Sequence, residues 1–208
     1  TRYMQDALGG PEAYAAAYNA KLQEVFASGE DLTLTGVASA PLTKAGDGSA
    51  APESPRVIAQ KQPGLYAVAW HPVGGQPDPQ VFCQVADAVC AMNGAEMRLA
   101  PDETVYLINL TGSEAARLLE LTAADTAASL FETSVSCIGA SICQVGVRDS
   151  QALLAACVAA VREANLPDGA LPQIHISGCP SSCGTHQTGM IGFRGAAKVI
   201  DRQPQSAF

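Results

Sequence analysis

Between positions 11 and 28, Tyr14, Tyr18, Leu22 and Phe26 recur every four residues and Gly29 follows as a stop, so the spacing predicts an amphipathic helix. Its apolar stripe must dock on something. Residues 38–55 mix Ala, Pro, Gly, Ser and Asp without period and read as a loop. From position 57 the pattern switches between strand and helix periods: strand 65–70, helix 78–92, strand 96–99, strand 104–110, helix 113–121. That order, β-α-β-β-α, is the core of a ferredoxin-like split unit. The last third alternates again, with strand 134–137, helix 150–164, strand 173–177, a tight Cys-Pro turn and strand 189–194. An apolar stretch over 196–200 reads as a strand whose pair is cut short.

The expected fold class is therefore α+β: a ferredoxin-like β-α-β-β-α repeat followed by a mixed α/β cysteine-cluster subdomain. The expected organisation is an N-terminal helix over 1–30, a linker over 31–56, the repeat over 57–128, and a cysteine-bearing subdomain over 129–208 that is truncated at its C-terminus.

Composition narrows the function. At 208 residues and 48% hydrophobic, the chain can build a core without crosslinks. A net charge of -8 with no cluster of Lys and Arg argues against a nucleic-acid surface. No apolar run is long enough to span a membrane, and residues 1–10 lack the basic start and apolar stretch of a secretory signal, so a cytoplasmic address is expected. Seven cysteines at uneven spacings do not form a disulfide framework.

Four of them carry a pattern. Cys137-Ile-Gly-Ala-Ser-Ile-Cys143 and Cys179-Pro-Ser-Ser-Cys183 each follow a predicted strand. Four thiolates from two loops is the ligand set of a 4Fe-4S cube, one sulfur per iron. Pro180 suits a first helical position, which predicts a helical turn carrying Cys179 and Cys183 on one face. Zinc would accept the second pair, but the five-residue spacer of the first fits it poorly, and buried thiols without metal are the other alternative. Cys83, Cys90 and Cys157 lie among apolar residues of predicted helices and read as core fillers. His71, before Pro72 and Gly74, reads as a turn residue, and His175 as a strand residue.

The two blocks, Ser136-Cys137 through Arg148-Asp149-Ser150 and Gly178-Cys179 through Ile191-Gly192-Phe193-Arg194-Gly195, resemble those of the siroheme- and 4Fe-4S-dependent nitrite/sulfite reductases. Glu96-Met97-Arg98-Leu99-Ala100-Pro101 is similar to the Arg-Leu-Thr-Pro strand of that family's repeat, and residues 1–26 to the helix before it. The resemblance is to the C-terminal half.

It implies Cys137, Cys143, Cys179 and Cys183 as cluster ligands, with Cys183 bridging to siroheme, Arg98 pairing with a siroheme carboxylate, and His186 inside the matched block as proton donor. The implied reaction is six-electron reduction of nitrite to ammonia or sulfite to sulfide. Implied partners are the N-terminal half of the same reductase, ferredoxin or another electron donor, and a small anion substrate, with no nucleic acid and no membrane. Three positions depart from the family pattern: Ser181 stands for Asn, and Ala100 and Glu103 stand for Thr and Gln. They motivate an alternative, a non-catalytic 4Fe-4S electron-transfer or binding module that has lost siroheme.

Overall fold

The computed structural model describes residues 2–31, 33, 44–200 and 202–208. Two compact units, Thr1–Pro41 and Leu42–Phe208, divide the chain. Part of the expected linker, residues 32 and 34–43, lies outside the described residues.

The first unit is a pair of helices, α1 (Arg2–Leu8) and α2 (Pro11–Ala27). Gly9 and Gly10, both at positive φ, separate them, and Pro11 opens α2, where a missing N–H costs nothing. The predicted amphipathic helix is there, but no residue of α2 is buried, and Tyr18 and Phe26 are each 59% exposed. Tyr14 and Leu22 of the stripe are half-buried.

The second unit begins with a four-stranded antiparallel sheet: β1 (Val57–Ala59), β2 (Tyr66–Trp70), β3 (Glu96–Leu99) and β4 (Val105–Leu110), in the order β1-β2-β4-β3. Helices α3 (Pro79–Cys90) and α4 (Gly112–Leu121) complete the expected β-α-β-β-α order. Side chains alternate across the sheet, so Val68, Trp70, Val105 and Leu107 meet Val85 and Leu118 from the helices in one buried core. Local chemistry fixes where the helices start. The Asp78 carboxylate accepts from the N–H groups of Gln80 and Val81, and Thr111 and Glu114 form a reciprocal capping box. The irregular chain before β1 is tied down as well: Lys44 pairs with Glu114, and Ser113 donates its N–H to Ser49 Oγ.

Beyond residue 130 the chain forms a three-stranded parallel sheet, β5 (Val135–Ser136), β6 (Ile174–Ser177) and β7 (Ile191–Arg194), with α5 (Ser150–Ala164) between β5 and β6. Asp149 caps α5 and Asn165 closes it in the left-handed conformation. The final apolar stretch is β8 (Ala196–Ile200), which pairs along its whole length with β9 (Gln203–Ala207).

The expected cysteine-cluster subdomain is corrected here. Among the described residues, no group of three or more His, Cys, Asp or Glu side chains is gathered where it could hold a metal ion. The physical reason lies in the second cysteine loop. Residues 179–188 form successive turns instead of a helical turn, with Ser182 at φ 64° and Thr185 at φ 49°, so Cys179 and Cys183 are not stacked one turn apart.

Gly184 holds that loop against β6. A Cβ there would fall 1.9 Å from the Ile176 carbonyl oxygen and 3.1 Å from the Cys137 nitrogen, and both neighbours are backbone. Gly184→Ala is expected to cost about 3 kcal/mol of stability. A denaturant midpoint equal to that of the parent chain would show that the loop can move aside.

Candidate functional site

Two loops emerge from the carboxyl ends of β5 and β6 and face each other, and backbone bonds lock them together. Cys137 N–H extends the parallel pairing by donating to the Ile176 carbonyl at 3.1 Å. The Gly178 carbonyl accepts from both Val147 and Arg148 at 2.9 Å, and Gly178 N–H donates to Cys137 Sγ at 3.2 Å. Within the first loop, Cys143 N–H donates to the Gly139 carbonyl at 2.8 Å.

Between the loops lies a cavity of about 320 Å³, and all four of Cys137, Cys143, Cys179 and Cys183 line it. Their exposures differ: Cys179 is buried, Cys137 and Cys143 are half-buried, and Cys183 is exposed. Among the described residues, the thiols are not gathered as the ligands of a single metal ion. A single ion needs convergence; a cube, which gives each thiolate its own iron, needs a shared cavity. The polar environment favours thiolate at one of them. Cys179 is lowered from the ordinary thiol value by hydrogen bonds from the Ser181 hydroxyl and the Ser181 N–H. Cys137 accepts from Gly178 N–H and lies 3.2 Å from Ser150 Oγ.

Two wall residues come from elsewhere in the chain. Gln151, near the start of α5, donates from its side-chain amide to the carbonyls of Gly74 at 2.9 Å, Ser136 at 3.0 Å and Cys137 at 3.3 Å. That amide ties the ferredoxin-like repeat to the first cysteine. Glu103, in the turn between β3 and β4, accepts Ser136 N–H at 3.0 Å on Oε1, while its Oε2 is buried without a partner. Burial pushes its carboxyl from the ordinary 4.5 up to about 7, opposed by the Ser136 bond and helped slightly by Asp102. Near neutral pH Glu103 is therefore about half protonated.

The remaining expected residues sit apart from the cavity. Arg98 lies on β3 opposite Tyr106, exposed and ion-paired with Glu96. His186 Nδ1 lies 3.0 Å from Ser177 Oγ and 3.3 Å from Ser182 Oγ, so its ring braces the second cysteine loop from behind. His175 Nδ1 contacts Thr185 Oγ1 at 2.9 Å. Cys83 and Cys90 are exposed on α3, against the expectation of core packing, whereas half-buried Cys157 packs beside Leu153 and Val161 and burial raises its thiol. His71 lies just after β2, before the tight turn Val73–Gly75, and is 6% exposed.

With this geometry in place, the relatives fall into line. A ferredoxin–nitrite reductase of Synechococcus elongatus is 30% identical over 152 residues, which are 71% of this chain and 29% of the relative. Over that span the chain is nitrite-reductase-like. The solved structure of the Mycobacterium tuberculosis NirA protein matches with a TM-score of 0.57 at 21% identity, covering 72% of this chain and 29% of that one. That likeness speaks to the fold. No family model matches the sequence. The chain thus spans 29% of the length of each of these proteins. No helix of the described residues is long and apolar enough to cross a membrane.

Proposed function

We propose that this nitrite-reductase-like chain is part of an oxidoreductase of the nitrite/sulfite reductase kind, in which Cys137, Cys143, Cys179 and Cys183 hold a 4Fe-4S cube and Cys183 also reaches the iron of siroheme. The observation that carries the reading is that two separate cysteine pairs line one cavity of about 320 Å³. When bound, cube and siroheme would supply the electron transfer for six-electron reduction of nitrite or sulfite.

The chain's own residues do the rest. The two Ser181 donors favour the thiolate of Cys179, and Gly178 N–H holds the Cys137 sulfur in place. Gln151 fixes the first loop against the repeat. Cys183, the exposed member of the set, is the thiolate available to a second metal outside the cavity. His186 is in place to steady that loop through Ser177 and Ser182, and as a half-buried imidazole it is the candidate proton donor to a reducing anion. Ferredoxin or a similar donor, and the N-terminal half of the reductase, complete the proposed assembly in the cytoplasm.

A second reading has one observation in its favour. Arg98, the residue expected to pair with a siroheme carboxylate, is instead neutralised by Glu96. That favours a module that keeps the cube for electron transfer or binding and has lost siroheme.

Anaerobic reconstitution with iron and sulfide is expected to load about one cube per chain. Adding siroheme and removing the unbound cofactor then separates the readings, since haem bands stay with the protein only if siroheme binds. Iron analysis that returns empty after reconstitution would overturn both.

A further inference from the structure

The four-stranded sheet buries one face against α3 and α4, and its other face carries a separate polar hollow. Arg56 stands beside Ala69 of β2: Ala69 N–H donates to the Arg56 carbonyl at 2.8 Å, and Arg56 Nε donates to the Ala69 carbonyl at 2.9 Å. Ala69 in turn opposes Tyr106 on β4. One step along, His71 and Thr104 meet, with Nδ1 and Oγ1 3.0 Å apart. These residues and the segment 126–130 enclose a cavity of about 560 Å³. Ala127, Ala128 and Leu130 make part of its wall apolar.

Two groups in this cavity lack their natural partners. Arg56 is half-buried and hydrogen-bonds to the Ala69 carbonyl and Thr122 Oγ1, but no carboxylate pairs with it among the described residues. A guanidinium presents five donors, so donors remain. His71 is 6% exposed and its Nε2 is buried with no partner. Native proteins seldom leave such groups orphaned, and a bound ligand is one standard explanation. Burial favours the neutral imidazole, against the pull of Asp102. The Thr104 bond can run in either direction; in the tautomer where its hydroxyl donates to Nδ1, the ring proton sits on Nε2 as a free donor. The carboxylate on the wall, Asp168, is engaged by Leu130 N–H at 2.7 Å.

We propose that this cavity binds a small organic carboxylate, with Arg56 meeting its charge, His71 Nε2 donating a hydrogen bond, and Ala127, Ala128 and Leu130 covering its apolar body. A cavity of this size with a few convergent donors on an apolar wall has the character of a small-molecule site. Inorganic oxyanions share the charge but not the apolar body, so they should bind more weakly. The site stands independently of the cysteine cavity and of any cofactor there.

The test uses the 208-residue chain, with benzoate, succinate and inorganic phosphate as probes. NMR of the His71 ring nitrogens should show a saturable shift of Nε2 with benzoate, a smaller response to phosphate, and a parallel rise in melting temperature. Arg56→Met should weaken binding more than about tenfold, Arg56→Lys should retain part of it, and Lys198→Met on β8 should change nothing. If Arg56→Met unfolds the chain, the Arg56→Lys and His71→Gln pair still decides, because each should lower affinity while leaving the fold signal intact. A His71 resonance that ignores both organic acids overturns the proposal, and so does a phosphate response at least as strong as that to benzoate.

Discussion

Cys179→Ser is expected to bring iron–sulfur loading of the reconstituted chain close to background. Cys179 is the buried member of the four, and Ser181 hydrogen-bonds its sulfur through both hydroxyl and N–H. A serine hydroxyl is a poor, hard ligand to iron and would leave those two donors facing a neutral oxygen. Cys143→Ser should also reduce loading sharply. Cys157→Ser should leave it intact, because that side chain, on α5, packs with Leu153 and Val161 against the core cluster and does not line the cavity. Iron and acid-labile sulfide counts on the purified variants give the answer. Equal loss in Cys157→Ser and Cys179→Ser would mean that the ligand set is wrong.

Glu103→Gln should stabilise the metal-free chain above neutral pH and leave it unchanged in acid. The folded carboxyl titrates at about 7 against an ordinary value of 4.5. Between those values the folded chain holds a proton that the unfolded chain releases, so stability falls as pH rises through that window. Above it the deficit reaches on the order of 3 kcal/mol. Glutamine keeps an acceptor for Ser136 N–H and never ionises. Urea midpoints at pH values below 4.5 and above 7 should therefore coincide in acid and separate in base. A variant that follows its parent across the whole range would place the buried charge elsewhere.

The repeat was legible because its signals are local. Periods of two and 3.6 alternate over 65–121, and Asp78, Thr111 and Glu114 mark the helix starts they turn out to make. β1 escaped because three residues carry no period, and β9 because Gln203, Pro204 and Gln205 lack apolar alternation and Pro204 cannot donate to a ladder. β1 also takes the sheet position next to β2, which only pairing reveals. At the site, the four cysteines were legible from spacing alone. The helical turn expected after Cys179 was not, since the Pro180 signal yields to a left-handed Ser182 and to the tight approach of Gly184 to β6. Gln151 and the protonation of Glu103 had no sequence signal. Their partners are 77 and 33 positions away, and burial is a property of the assembled wall.

β3 lies at the edge of the four-stranded sheet, and one row of its backbone N–H and C=O groups faces outward. Such an edge invites another strand, and Leu99, 80% exposed at its end, adds an apolar lure. Two features deter the addition. The strand is only four residues long, and Glu96 and Arg98 share one face as an ion pair that an incoming strand would have to desolvate. Arg98 therefore has work to do in keeping separate copies of this chain from zipping together. Its replacement by an apolar residue would be felt first as a loss of solubility during expression, before any effect on a cofactor.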